Sequence, residues 1–111
     1  DMGSHIGNDD TSLLSTAVQS ETNRWAGTQF AKCKVKAITY AEIIDTYDFI
    51  TIDCEGLDLD VLRQIDLKHT SLVCVEHNSV REVRNAIIDY CAKAGLTKKV
   101  YECLENVIMG R

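Results

Sequence analysis

The chain has 111 residues, a length suited to one domain with room for a hydrophobic core. Hydrophobic residues make up 45% of it, which excludes a polar disordered tract, and no apolar run approaches the roughly 20 residues of a membrane-spanning helix. Seventeen acids against twelve Lys and Arg give a net charge of −5, so the composition argues against nucleic-acid binding, which needs a basic face for the phosphates.

Five cysteines, Cys33, Cys54, Cys74, Cys91 and Cys103, form no CxxC pair and mostly stand in apolar surroundings. Such cysteines behave as small hydrophobes, and reduced thiols imply a cytoplasmic setting. No charged-then-apolar leader opens the chain, in keeping with that setting. There is no proline, so residues 1–111 read as one continuous unit without a hinge.

Residues 1–10 are polar and glycine-bearing, which predicts a flexible N-terminal segment. Asp10 or Thr11 is placed to cap a helix whose Leu13, Leu14, Ala17 and Val18 share one face, ending near Trp25 and Gly27. Residues 32–38 alternate, Lys32, Lys34 and Lys36 on one side and Cys33, Val35 and Ala37 on the other, as in a half-buried strand. A short helical turn follows around Ala41–Ile44. Residues 48–54, apolar and β-branched, predict a strand buried on both faces. Gly56 ends it, and Leu59, Leu62 and Ile65 line one face of the next helix.

Residues 71–76 predict a second buried strand. Ser79 and Glu82 match the Ser-x-x-Glu capping box of a helix carrying Val80, Val83, Ile87 and Cys91, with Gly95 placed to end it. Two strand-like runs, 97–103 and 105–111, close the chain as an antiparallel hairpin. Strand and helix alternating in this way predict an α/β fold: a parallel βαβ core with a C-terminal antiparallel β-hairpin.

In open α/β sheets ligands bind beyond the carboxyl ends of the strands. The first central strand ends Asp53-Cys54-Glu55-Gly56. In extended chain Asp53 and Glu55 project to one side, as a proton-accepting pair or as ligands for a hard cation. Asp53 is equally suited to capping the next helix, and Glu55 to a solvated turn. The second strand ends Glu76-His77-Asn78, where His77 is either a general base or a hydrogen-bonded structural histidine. At the start of the chain Asp1, Gly3 and Gly7 fit a D-x-G-x-x-x-G cofactor turn, although no strand precedes them.

The run Asp48-Phe49-Ile50-Thr51-Ile52-Asp53-Cys54-Glu55-Gly56, with Asp58, Val61-Leu62, Ile65-Asp66-Leu67 and then Val75-Glu76, resembles the FkbM family of methyltransferases that use S-adenosylmethionine. Leu13–Thr16, Arg24-Trp25, Val35–Thr39 and Glu105–Arg111 are similar to further segments of that family, so the likeness spans roughly residues 11–111. It implies a partial Rossmann-like fold, the C-terminal half of a methyltransferase whose cofactor-binding half is missing. It also implies methyl transfer from S-adenosylmethionine to the hydroxyl of a small molecule or sugar, weak or absent in this chain alone. Asp53, Glu55 and His77 would be catalytic, and Glu76 and Asn78 would line the acceptor side. The unpaired edge of strand 48–54 would drive homo-oligomerisation. Two other readings remain open: a non-catalytic α/β association module, and a cation-binding regulatory domain using Asp53, Glu55 and Glu76.

Overall fold

A computed structural model describes residues 2–5, 30–34, 36–43 and 45–111. The chain divides into two compact units, the first Asp1–Ala37 with Cys54–Leu57, the second Ile38–Asp53 with Asp58–Arg111. In the first unit, β1 (Met2–His5) pairs antiparallel with β2 (Phe30–Cys33), Met2 opposite Cys33 and His5 opposite Phe30. The loop expected over residues 1–10 is therefore corrected at Met2–His5. The strand expected over 32–38 stops at Cys33, and Lys34 and 36–39 are exposed and irregular. The helix expected from Asp10 or Thr11 to Trp25 lies outside the described residues.

The second unit holds a mixed four-stranded sheet in the order β3-β4-β6-β5: β3 (Phe49–Ile52), β4 (Leu72–Glu76), β5 (Lys98–Glu102) and β6 (Asn106–Gly110). Its α-helices are α1 (Asp58–Leu62) and α2 (Arg81–Lys93). β3 and β4 run parallel, joined through α1, and β6 enters antiparallel between β4 and β5. This is the α/β arrangement expected, with the hairpin folded so that its second strand, not its first, meets β4.

Alternation along the strands decides the core. Ile52, Val73, Val75, Val107 and Met109 are buried on one face of the sheet, with Leu62 of α1 and Ile87 and Cys91 of α2 also in the core. Ile65, Leu67 and Leu96 complete it. The other face is wetter: Phe49 is 55% exposed and Thr51 is exposed. The expectation that strand 48–54 is buried on both faces is therefore corrected: along β3 Ile52 is buried and Ile50 half-buried, whereas Phe49 and Thr51, on the other face, are exposed.

Local chemistry fixes the ends of the elements. The 3-10 turn Tyr40–Glu42 is held by a reciprocal capping box: Thr39 N–H donates to the Glu42 carboxylate at 2.7 Å. Gly95, at φ +94°, ends α2 as expected. The capping box expected of Ser79 and Glu82 does not form. Val80 is the N-cap without a side-chain bond, and the Ser79 hydroxyl donates instead to Leu104 O at 2.8 Å. Ser79 thereby ties the start of α2 to the β5–β6 turn.

Candidate functional site

β3 and β4 are parallel neighbours in register, Ile52 beside Val75, so their carboxyl ends lie at the same rim of the sheet. Asp53 follows β3 and Glu76 ends β4. The two carboxylates bring oxygens within 4.8 Å of each other. Asp53 is exposed, whereas Glu76 is only 8% exposed. Burying a carboxylate is costly unless it is paired or hydrogen-bonded, so Glu76 marks the specialised end of this rim. It shares a side of the sheet with Leu72 and Cys74 by strand alternation.

Glu55 stands in the turn that follows Asp53 in the chain. It does not project by strand alternation, as the sequence reading had it, because the backbone has already left the extended region: Glu55 stands at φ +45° and Gly56 at φ +105°. Gly56 is the residue that makes so sharp an exit cheap. Leu57 N–H donates to Cys54 O at 3.4 Å across the same turn.

His77 is brought to the same rim but is 4% exposed. Its Nδ1 accepts the Ser79 N–H at 3.2 Å. A nitrogen that accepts a hydrogen bond carries no proton, so the neutral ring holds its proton on Nε2. Nε2 is buried and has no hydrogen-bond partner among the described residues. In this form His77 is a donor, and the proton-accepting role expected of it has no free lone pair to use. The main chain of His77 is equally committed. Its N–H donates to Glu105 O at 2.6 Å, and its carbonyl accepts from Val80 N–H at 2.8 Å.

Between those two anchors Asn78 and Ser79 stand at φ +51° and +62°. Two successive left-handed residues closed by a carbonyl-to-amide bond over four residues make a type I′ turn. Asn tolerates that region, whereas Ser does so at a cost that its hydroxyl bond to Leu104 O offsets. Asn78 is half-buried at the corner of the turn, beside the acidic rim. Sequence reasoning missed the turn because Asn-Ser is a weaker signal than Asn-Gly.

What the rim can do follows from its donors. Carboxylates accept hydrogen bonds from hydroxyl groups and bind hard cations. S-adenosylmethionine needs more: a strand running into a glycine turn where backbone N–H groups face the anionic end of the cofactor. Gly3, the candidate for such a turn, stands inside β1 opposite Lys32, and Asp1 and Gly7 lie outside the described residues. The described residues do not assemble a cradle for that cofactor. No protein-family model, curated protein or solved structure matches the chain.

Proposed function

We propose that the rim formed by Asp53 and Glu76 receives a hydroxyl group of a small molecule or sugar and handles its proton, as the acceptor side of an O-methyltransferase of the FkbM type. The observation that carries this reading is the approach of the two carboxylates within 4.8 Å at the ends of adjacent parallel strands. The resemblance of the run from Asp48 to Gly56 and of Val75-Glu76 to that family supports it further.

The two acids have different parts in this reading. Asp53, in contact with water, accepts the hydroxyl proton and releases it to solvent. Glu76, held by burial, orients the hydroxyl oxygen for in-line attack. His77 holds the turn through Nδ1.

The test is transfer of labelled methyl from S-adenosylmethionine to hydroxylated acceptors, measured on the protein made from its complete natural reading frame. Asp53→Asn is expected to lower turnover at least a hundredfold with an unchanged far-UV spectrum. Absence of transfer to any hydroxyl, or full turnover in Asp53→Asn, would refute the reading.

A second reading rests on the same spacing. Oxygens within 4.8 Å suit one Ca²⁺, whose ligands stand at about 2.3–2.6 Å. A melting temperature that rises with millimolar Ca²⁺ in the wild type but not in Glu76→Gln favours it over the first.

A further inference from the structure

Strand alternation assigns a face to each side chain of the rim. Val75 and Val107 are buried in the core, so their neighbours at the rim, Glu76 and Asn106, belong to the opposite face. These two residues stand directly opposite each other in the pairing of β4 with β6. Asp53 joins them from the end of β3, with a carboxylate oxygen within 4.8 Å of one of Glu76. Cys103 meets the row from the end of β5, where its N–H donates to Asn106 O at 2.9 Å. Four adjacent strands thus bring Asp53, Glu76, Asn106 and Cys103 to the rim in that order.

Asn106 is the half-buried member of this row that the two acids leave unused. Its side-chain N–H donates to the Cys103 sulfur. A primary amide carries two N–H donors and one acceptor oxygen, so that bond leaves one N–H and the oxygen to meet another group. Side chains directly opposite on neighbouring antiparallel strands stand about 5 Å apart at Cβ. Glu76 and Asn106 are therefore close enough to hold two neighbouring oxygens of one molecule, while the bond to Cys103 restrains the amide.

We infer that Asn106 makes the rim selective for a diol: with one hydroxyl at Asp53 and Glu76, the amide hydrogen-bonds a second hydroxyl on the adjacent carbon. The inference rests on the reading of the rim as a site that receives a hydroxyl, and it narrows the substrate class to neighbouring hydroxyls, as on a sugar ring. The hydrogen-bonding inventory fits. Carboxylates only accept, so the first hydroxyl must turn its proton toward them. An amide both donates and accepts, so it satisfies the second hydroxyl in either orientation. A neutral hydrogen bond gained in this way tightens binding about three- to tenfold. Asn106 touches the substrate in this role and moves no proton.

The probes are cis-cyclohexane-1,2-diol and cyclohexanol, titrated into the ¹⁵N-labelled chain and followed through its backbone and side-chain amide resonances. The diol is expected to bind about three- to tenfold more tightly, and the Asn106 side-chain signals are expected to move with it. Asn106→Ala is expected to bring the diol down to the affinity of cyclohexanol. Cys103→Ala is expected to keep the preference, which separates contact with the ligand from a bond that only shapes the turn. Equal affinities of the two alcohols in the wild type, no saturable binding of the diol, a preference that survives Asn106→Ala, or one lost equally in Cys103→Ala, would overturn the inference. The titration uses neither cofactor nor turnover, so those results leave methyl transfer to its own assay. A diol preference that needs Asn106, in a protein that transfers methyl to no hydroxyl, would refute the transferase and uphold the diol site.

Discussion

Arg111 offers the most direct test of how this unit is held together. Among the described residues its guanidinium bonds to four main-chain carbonyls and to no carboxylate. Nε donates to Thr70 O at 2.9 Å, Nη1 to Ala94 O at 3.1 Å, and Nη2 to Leu67 O at 2.6 Å and Lys68 O at 2.9 Å. One planar group thus ties the residue after β6 to the end of α2 and to the 3-10 turn Leu67–His69. In Arg111→Ala, water can reach Ala94 O and Lys68 O, whose bonds are exposed, so little is lost there. Thr70 O and Leu67 O are part-buried, and losing a charged donor from each costs about 1–1.5 kcal/mol. The expected destabilisation is about 2–3 kcal/mol, a fall in Tm of roughly 10 °C or more for a domain of this size. Arg111→Lys should recover less than half of it, since an ammonium cannot fork to four acceptors.

Gly95 supplies an internal control. A Cβ there would stand 2.6 Å from Arg111 Nη1, at a backbone φ of +94°. Gly95→Ala therefore displaces the guanidinium besides straining the backbone by about 1–2 kcal/mol. Combined with Arg111→Ala, only the strain remains, so the two costs are less than additive. Urea denaturation followed by circular dichroism measures all four corners of the cycle. An Arg111→Ala variant within about 0.5 kcal/mol of wild type, or strictly additive costs, would refute the role assigned to the carbonyl cage.

The remaining predictions concern titrating groups. Cys103 is exposed, and N–H groups of Glu105 and Asn106 lower its thiol below the usual value, whereas burial pushes Cys91 up to about 11. Iodoacetamide at neutral pH should label Cys103 first and Cys91 only on unfolding, as mass spectrometry of digests would show. Glu102 is bonded by Arg84 and by Lys99, the latter at 2.6 Å, which holds its carboxyl at about 2. A carboxyl depressed in the folded state stabilises above its unfolded value, near 4.3, and that contribution is lost as pH falls toward about 2. Glu102→Gln should therefore flatten the loss of stability between those pH values, an effect that 0.5 M salt diminishes.

How far the sequence reaches depends on whether the deciding contact is local. The spacing of Ile87 and Cys91, with Gly95 beyond, is enough to place α2 and its end. The run Leu72–Val75 is enough for β4, and the strand tips Asp53 and Glu76 follow from where those runs stop. What the residues of β3 cannot reveal by themselves is that, among the described residues, no strand pairs on its far side, since apolarity is the same at an edge as in the centre; only the resemblance implies an unpaired edge there. The Ser79–Glu82 pattern misleads for a related reason: the Ser79 hydroxyl finds Leu104 O, 25 residues away, and leaves the helix end to Val80. The cage around Arg111 joins it to residues 17 to 44 positions distant, and no local pattern announces it.

His77 shows how such a distant choice reaches the candidate site. Its type follows from its place after a buried strand, but its role depends on which nitrogen is committed, and that is set by the Ser79 N–H. The turn it closes needs an acceptor at Nδ1 to hold Asn78 and Ser79 in left-handed conformations. Asn at position 77 can offer its amide oxygen at the place of Nδ1; the longer Gln cannot, and reaches instead toward the place of Nε2. His77→Asn should thus retain about 1 kcal/mol more stability than His77→Gln. Long-range ¹⁵N–¹H spectra of the wild type should place the ring proton on Nε2. The reverse order of the two variants, or a proton found on Nδ1, would return His77 to the proton-accepting role and shift the chemistry of the rim from Asp53 to the imidazole.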